Sequence, residues 1–276
     1  MNATSLDNLH LLCDEYDEDL PLLDCLYLIA AHEDPFFNLE QCKADLDALR
    51  QAIYLPHLDS PIDCVSRINQ HLFHERNFRG NSKDYYNPHN SLLHKVLQSE
   101  TGLPILLSAI YIEIACSLHF PVVGIGFPMH FIIRPEQYGE KLFFIDPFQQ
   151  GKTLCQSDLK RFLQQNQIAI PFSEAIQPIS NRKIIQRICN NLFHAHKKRY
   201  DLKGVLRALQ LLEILSPTCT DIHRMKAFVL GSLGRFQEAI QSMENYIHRS
   251  PNAKDIEECK THISLLKANC TRPKKL

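Results

Sequence analysis

No apolar run in this chain of 276 residues reaches the roughly 18 that a membrane-spanning helix needs, so none is expected. Residues 1–15 are acidic in part and carry no basic stretch ahead of an apolar run, so no signal peptide is expected either. An excess of charge is also missing. The formal net charge is −1, which gives no reason to expect binding to nucleic acid or to a membrane. The motifs G-x-x-x-x-G-K, G-x-G-x-x-G and G-x-S-x-G are absent, so nucleotide binding and α/β-hydrolase chemistry find no support. Ten cysteines are spread along the chain without one C-x-x-C. Several fall on apolar helix faces, where a thiol behaves as a small hydrophobe, and the expected location is a reducing cytoplasm. The fourteen histidines include His71-x-x-His74, the pair His89 and His94, and His194-x-His196. None has a matching second pair at zinc-site spacing. His71, His74 and Glu75 could share a helical face, but surface or capping roles are expected, and no metal or cofactor is.

What remains is an ordinary globular composition, 45% hydrophobic and 22% charged, with length enough for two domains. Leu22, Leu23, Leu26 and Ile29 recur at helical spacing until Asp34-Pro35. Leu39, Cys42, Leu46, Leu49 and Ile53 form a second stripe, and Ile62, Val65, Ile68 and Leu72 a third. After a polar loop at 79–84, Ser91 is a candidate cap for a helix over 92–100. Residues 103–118 are apolar nearly all round, as in a helix buried on most sides, and Pro104 suits its first position. Strands are predicted over 122–127, 130–134 and 141–145, with a loop over 135–140. A hairpin symmetric about Tyr138 would set His130 opposite Asp146. Beyond Gln150-Gly151 the pattern is helical, with a linker near 171–178.

The segments 208–217 and 242–251 both close on Ser-Pro, 34 residues apart, which is the tetratricopeptide period. Ala227, Leu233-Gly234-Arg235-Phe236, Ala239 and Pro251 fall where that repeat puts its small residues, its turn and its proline. The earlier unit is degenerate, with Val205 at an alanine position. A helix over 255–267 would close the array.

Helix start, then His130, then Asp146 is the order of a cysteine–histidine–aspartate site, and the helix start has no cysteine. A thiol there would be favoured as thiolate by unpaired N–H groups, with an imidazole beside it oriented by a carboxylate. Pro104 has no proton to lose and no side-chain heteroatom. Cys116 stands twelve residues along the same helix, roughly 18 Å away, and Ser108 about 6 Å along. Ser108 also reads as a small polar residue in a tight helix contact. Tyr85, Asn90, His130 and Asp146 would line the cleft, with Ser108 a further candidate for ligand contact.

Three stretches carry a family resemblance: Phe78-Arg79-Gly80-Asn81 with 85–91; Thr101-Gly102-Leu103-Pro104-Ile105 with 111–115; and Gly126-Phe127-Pro128-Met129-His130-Phe131 with Ile145-Asp146-Pro147. Together they resemble the transglutaminase-like superfamily, in particular bacterial proteins of the YchA type, which join a divergent transglutaminase-like domain to tetratricopeptide repeats. The resemblance places Gly102 on the glycine before the nucleophile, Pro104 on the cysteine, and His130 and Asp146 on the histidine and aspartate.

It implies an α+β fold: a papain/transglutaminase-like N-terminal domain of helices and a small antiparallel sheet, then an all-α tetratricopeptide-like module. The expected divisions are an N-terminal helical segment (1–75), a core (76–170), a linker (171–183) and helical repeats (184–276). The expected role is a non-catalytic scaffold or regulator that binds a protein or peptide through the repeats. The alternative is a hydrolase or acyltransferase using His130 and Asp146 with a non-cysteine nucleophile or an activated water.

Overall fold

A computed structural model of the chain describes residues 4–53, 60–136 and 142–270. Two compact units divide it, Met1–Ile188 and Cys189–Leu276. The first opens with four helices: α1 (Ser5–Glu15), α2 (Leu22–Glu33), α3 (Leu39–Gln51) and α4 (Pro61–Asn69). Leu22, Leu26 and Ile29 of α2 are buried, as are Cys42, Leu46 and Leu49 of α3. Asn38 and Ser60 start α3 and α4 by accepting from the N–H groups of Gln41 and Asp63. Periodicity misses α1, because only Leu9 of it is buried and a Thr4–Asp7 capping box begins it. Ile62 leaves its expected stripe and is 68% exposed, since the first turn of α4 projects past the core that takes Cys64, Val65 and Ile68.

Ser91 does not cap the next helix. It lies in the 3-10 turn Pro88–Ser91, which Asn87 begins by accepting from His89 N–H, and α5 (Leu93–Ser99) follows Leu92 with no side-chain cap. Two short strands, β1 (Arg79–Gly80) and β2 (Thr101–Gly102), pair in parallel and lead to α6 (Pro104–Ser117). Pro104 is the first residue of α6, where its missing N–H costs nothing. Leu106, Ala109, Tyr111 and Ile114 are wholly enclosed, so α6 is the central helix of this unit.

Four strands then form one antiparallel sheet in chain order: β3 (Val122–Ile125), β4 (Ile132–Pro135), β5 (Phe143–Asp146) and β6 (Lys152–Cys155). β6 is an addition to the sequence expectation. It is short and mostly exposed, so no apolar alternation announces it. Ile133 pairs with Ile145, which centres the hairpin one residue beyond Tyr138. Extended, that register puts Ile132 opposite Asp146, and not His130. The loop residues 137–141, Tyr138 included, lie outside the described residues.

The helices α7 (Gln156–Gln165) and α8 (Phe172–Ala175) bring Leu159, Leu163 and Ala175 onto Ile125, Ile132 and Phe144. Alternation turns Ile133 and Ile145 to the other face of the sheet. Against β3 and β4 lies α6. The segment expected as a linker, 171–183, holds α8. Its Pro178 bridges to Ile125, and Ile179 N–H donates to the Gly124 carbonyl. α9 (Asn181–Lys198) follows and buries Ile184, Ile185 and Ile188, so the division between units falls inside this helix.

The second unit continues with α10 (Leu202–Leu215), α11 (Asp221–Ser232), α12 (Phe236–Arg249) and α13 (Ile256–Cys270). Leu206, Ala227, Leu230, Ala239, Met243, Tyr246, Cys259 and Leu266 share one core. Gly234 turns α11 into α12 with φ +74°, and Tyr200, at the matching place between α9 and α10, has φ +58°. Among the described residues no helix is long and apolar enough to cross a membrane.

Candidate functional site

The start of α6 is fixed from two sides. Asn81 N–H donates to the Gly102 carbonyl and Leu103 N–H to the Asn90 carbonyl, both at 3.1 Å. Asn90 is 3% exposed. Its side-chain oxygen accepts from Asn81 Nδ2 at 2.9 Å, and its Nδ2 donates to the carbonyls of Asp84 and Tyr85 at 2.8 and 3.2 Å. It therefore ties the Tyr85 loop to the head of α6, with both of its amide hydrogens committed to that tie. Pro104 follows, buried, with no reactive atom.

His130 reaches Asp146 although the strand register does not align them. His130 lies before β4, in a turn where its N–H donates to the Phe127 carbonyl at 3.0 Å. Met129 takes φ +60°, a left-handed conformation that costs a side-chain-bearing residue about 1–2 kcal/mol. The turn aims the imidazole so that Nε2 lies 2.7 Å from Asp146 Oδ2. Asp146 is fully buried. Its Oδ1 accepts from the N–H groups of Phe148 and Gln149 at 3.0 and 3.1 Å, and Oδ2 also accepts from Gln149 Nε2 at 2.7 Å. A carboxylate is acceptor-only, so Nε2 carries a proton, and in the neutral imidazole Nδ1 is the remaining acceptor.

Phe148 fills the space around the pair. Its ring meets those of His130 and Tyr85 edge-on, with centroids 6.4 and 6.5 Å away. Gly80 gives it room, because any side chain there would overlap the ring. Tyr85 and Tyr86 also meet edge-on, at 5.6 Å, and both are exposed, as is Met129 at 78%. The imidazole therefore opens on a surface rimmed by apolar side chains. Ser108 is elsewhere: it is fully enclosed, and its hydroxyl has no hydrogen-bond partner among the described residues.

A buried proline thus starts the central helix, and a bonded histidine and aspartate follow at the small antiparallel sheet. Residues 40–190, more than half of the chain, fit the family model described as the transglutaminase-like superfamily. The chain belongs to the transglutaminase-like superfamily. A "UPF0162 protein" of Xylella fastidiosa is 28% identical over 263 residues, 90% of each chain. Protein SirB1 of Salmonella typhimurium is 24% identical over 176 residues, 63% of this chain and 65% of its own. F-box only protein 21 of Mus musculus is 32% identical over 155 residues, 54% of this chain and 23% of that protein.

Within this transglutaminase-like domain no other thiol stands where Pro104 does. Cys116 lies at the far end of α6, and burial, first, then Glu113 push its thiol up from the ordinary value. Cys155 is exposed at the start of α7, but β5 and β6 pair Asp146 with Lys152 and Phe143 with Cys155. Three residues of strand, roughly 10 Å, separate it from the aspartate. All ten cysteines are free thiols. His71 Nδ1 lies 3.0 Å from Glu75 Oε2, while His74 is exposed. Among the described residues no group of three or more His, Cys, Asp or Glu is placed to hold a metal.

Phe148, Gln149 and Arg187 were not among the residues that sequence alone singled out, and Gly80 stood there only within the stretch 78–81. The run Asp146-Pro147 did hold a signal for the first two: an aspartate before a proline commonly caps the turn that follows it. Arg187 had none, since it is brought to His130 by the packing of α9.

Proposed function

We propose that this transglutaminase-like protein is non-catalytic and binds a protein or peptide partner. Pro104 at the first position of α6 carries this reading, because that position can neither attack a carbonyl nor form an acyl intermediate. The helical hairpins of the second unit, read as tetratricopeptide repeats of which the earlier is degenerate, supply a binding surface of the kind stacked helices offer. The ten free thiols fit a reducing cytoplasm.

The test is turnover of peptide amides and of a glutamine donor with an amine acceptor, for the full chain and for His130→Ala. Neither protein should exceed the uncatalysed rate. Turnover that His130→Ala abolishes would overturn the proposal. It would support the second reading, hydrolysis by a water that His130 Nδ1 deprotonates, which the 2.7 Å His130–Asp146 bond favours. The repeat surface is tested by affinity capture with Phe228→Ala and Leu265→Ala, both exposed apolar residues of the second unit. Cutting the chain at 184 would not serve, because Ile184, Ile185 and Ile188 are core residues of the first unit.

A further inference from the structure

Beside His130 lies a guanidinium that no carboxylate answers. Arg187 of α9 donates through Nη2 to the His130 carbonyl at 3.1 Å. It lies over the Phe131 ring, 5.3 Å from the centroid. Its Nη1 would be 2.8 Å from a methyl on Gly126, so the glycine makes its room. Two other partly buried arginines have acidic partners: Arg50 pairs with Glu113 and Asp47, and Arg224 with Asp255 and Asp221. Arg187 forms no ion pair among the described residues. Burial pushes its guanidinium down from the ordinary value, and the neighbour that favours its charge is the Tyr85 phenol. A guanidinium is a planar fork of five donors, suited to a carboxylate and costly to leave half-buried without one.

We propose that Arg187 and His130 together receive the C-terminal α-carboxylate of a peptide partner. Arg187 holds the carboxylate. His130 Nδ1 accepts the N–H of the same terminal residue, since Asp146 fixes the imidazole proton on Nε2. The terminal side chain rests on Tyr85 and Met129, which stand exposed at the rim. A peptide end offers this acceptor–donor pair on one residue, whereas an acidic side chain separates the two. The inference rests on the binding reading above and gives that partner a chemistry.

The test is NMR titration of the full chain, with ¹³C,¹⁵N-labelled arginine and histidine, using N-acetylphenylalanine as the probe. The acid should move the Arg187 and His130 signals saturably, while N-acetylphenylalanine amide leaves them in place. Arg187→Gln should weaken binding by at least about tenfold. Equal responses to the acid and its amide would overturn the assignment without needing any variant. A response to N-acetylglutamate amide or to inorganic phosphate as strong as to the acid would also overturn it, because charge alone would then suffice. So would unchanged affinity in Arg187→Gln with a wild-type helical signal. Absence of binding without turnover sinks the peptide-end assignment alone; turnover of the amide sinks the non-catalytic reading.

Discussion

Removing the Asp146 carboxylate should destabilise the sheet corner far more than removing the His130 imidazole. Asp146 accepts two backbone N–H groups, the Gln149 amide and the His130 imidazole. In Asp146→Ala the N–H groups of Phe148 and Gln149 lose their acceptor at a fully buried position. Each orphaned donor costs about 1–3 kcal/mol, and part of that returns as residues 147–149 open to water, so about 3–5 kcal/mol is expected in all. In His130→Ala the carboxylate keeps three of its four donors. The lost bond belongs to a side chain 19% exposed, so about 1–2 kcal/mol is expected. The difference, about 2 kcal/mol, is roughly a 30-fold ratio in the local opening constant. Native-state hydrogen exchange by mass spectrometry, read on a peptide over 143–150, is the suitable assay. Two compact units make a single denaturation midpoint hard to assign, and the chain has no tryptophan to report on either. If His130→Ala opens that peptide as much as Asp146→Ala does, the aspartate is held chiefly by the imidazole and the corner is not independently built.

Acid should loosen α5, because burial holds the His94 imidazole below its ordinary range, in spite of the Asp34 carboxylate 3.0 Å away. The unfolded chain then takes the proton first, so this stability is full above about pH 6.5 and falls as the pH drops toward the folded value. Exchange-derived stability of a peptide over 92–99, corrected for intrinsic rate, should decline from pH 7 to 5.5 and do so less in His94→Phe; equal slopes would refute this. Gly80→Ala forces a methyl into the Phe148 ring, so it should cost about 1–3 kcal/mol and broaden the His130 imidazole signals in NMR spectra. Tyr200→Gly should stabilise the second unit by about 1 kcal/mol and Gly234→Ala should destabilise it by a similar amount, because both positions have positive φ and no other atom lies within 4 Å of a Gly234 methyl. Exchange protection in α10 and α12 reads both.

The parts of this fold legible in the sequence are those where burial repeats at one period. Helices α2 and α3 and the helices of the second unit bury enough of one face for spacing to show, while α6 shows as a continuous apolar run because it is buried nearly all round. Pro104 announced the start of α6 because a proline is tolerated at that position and few others in a helix. Capping chemistry and edge strands were harder. Helix α1 hangs on one capping box, and β6 exposes most of its residues. The hairpin register depends on the geometry of its connection, and a shift of one residue at its centre moved Ile132 into the place expected for His130. His130 and Asp146 meet regardless, because the turn at Met129 carries the imidazole across. Arg187 shows the limit most clearly: its relation to His130 spans 57 residues, and no local pattern encodes such a distance.

A histidine–aspartate pair without a nucleophile invites the inference that catalysis survives in another form. The bonding of Asp146 separates the two residues. Three of the four hydrogen bonds it accepts come from Phe148 and Gln149, and Gly151 N–H donates to its own carbonyl at 2.9 Å. It closes the corner between β5 and β6 whether or not chemistry occurs nearby, so the fold alone accounts for it. His130 is different. It supplies one bond of four, lies partly at the surface, and requires a left-handed Met129 to reach its place. The remaining bonds to Asp146 do not need that turn, so the strain at Met129 serves the placing of His130 and not the corner. On the proposed binding reading, the residue of this pair that takes a functional role is therefore the histidine. That role would act through Nδ1, the imidazole nitrogen not committed to the corner.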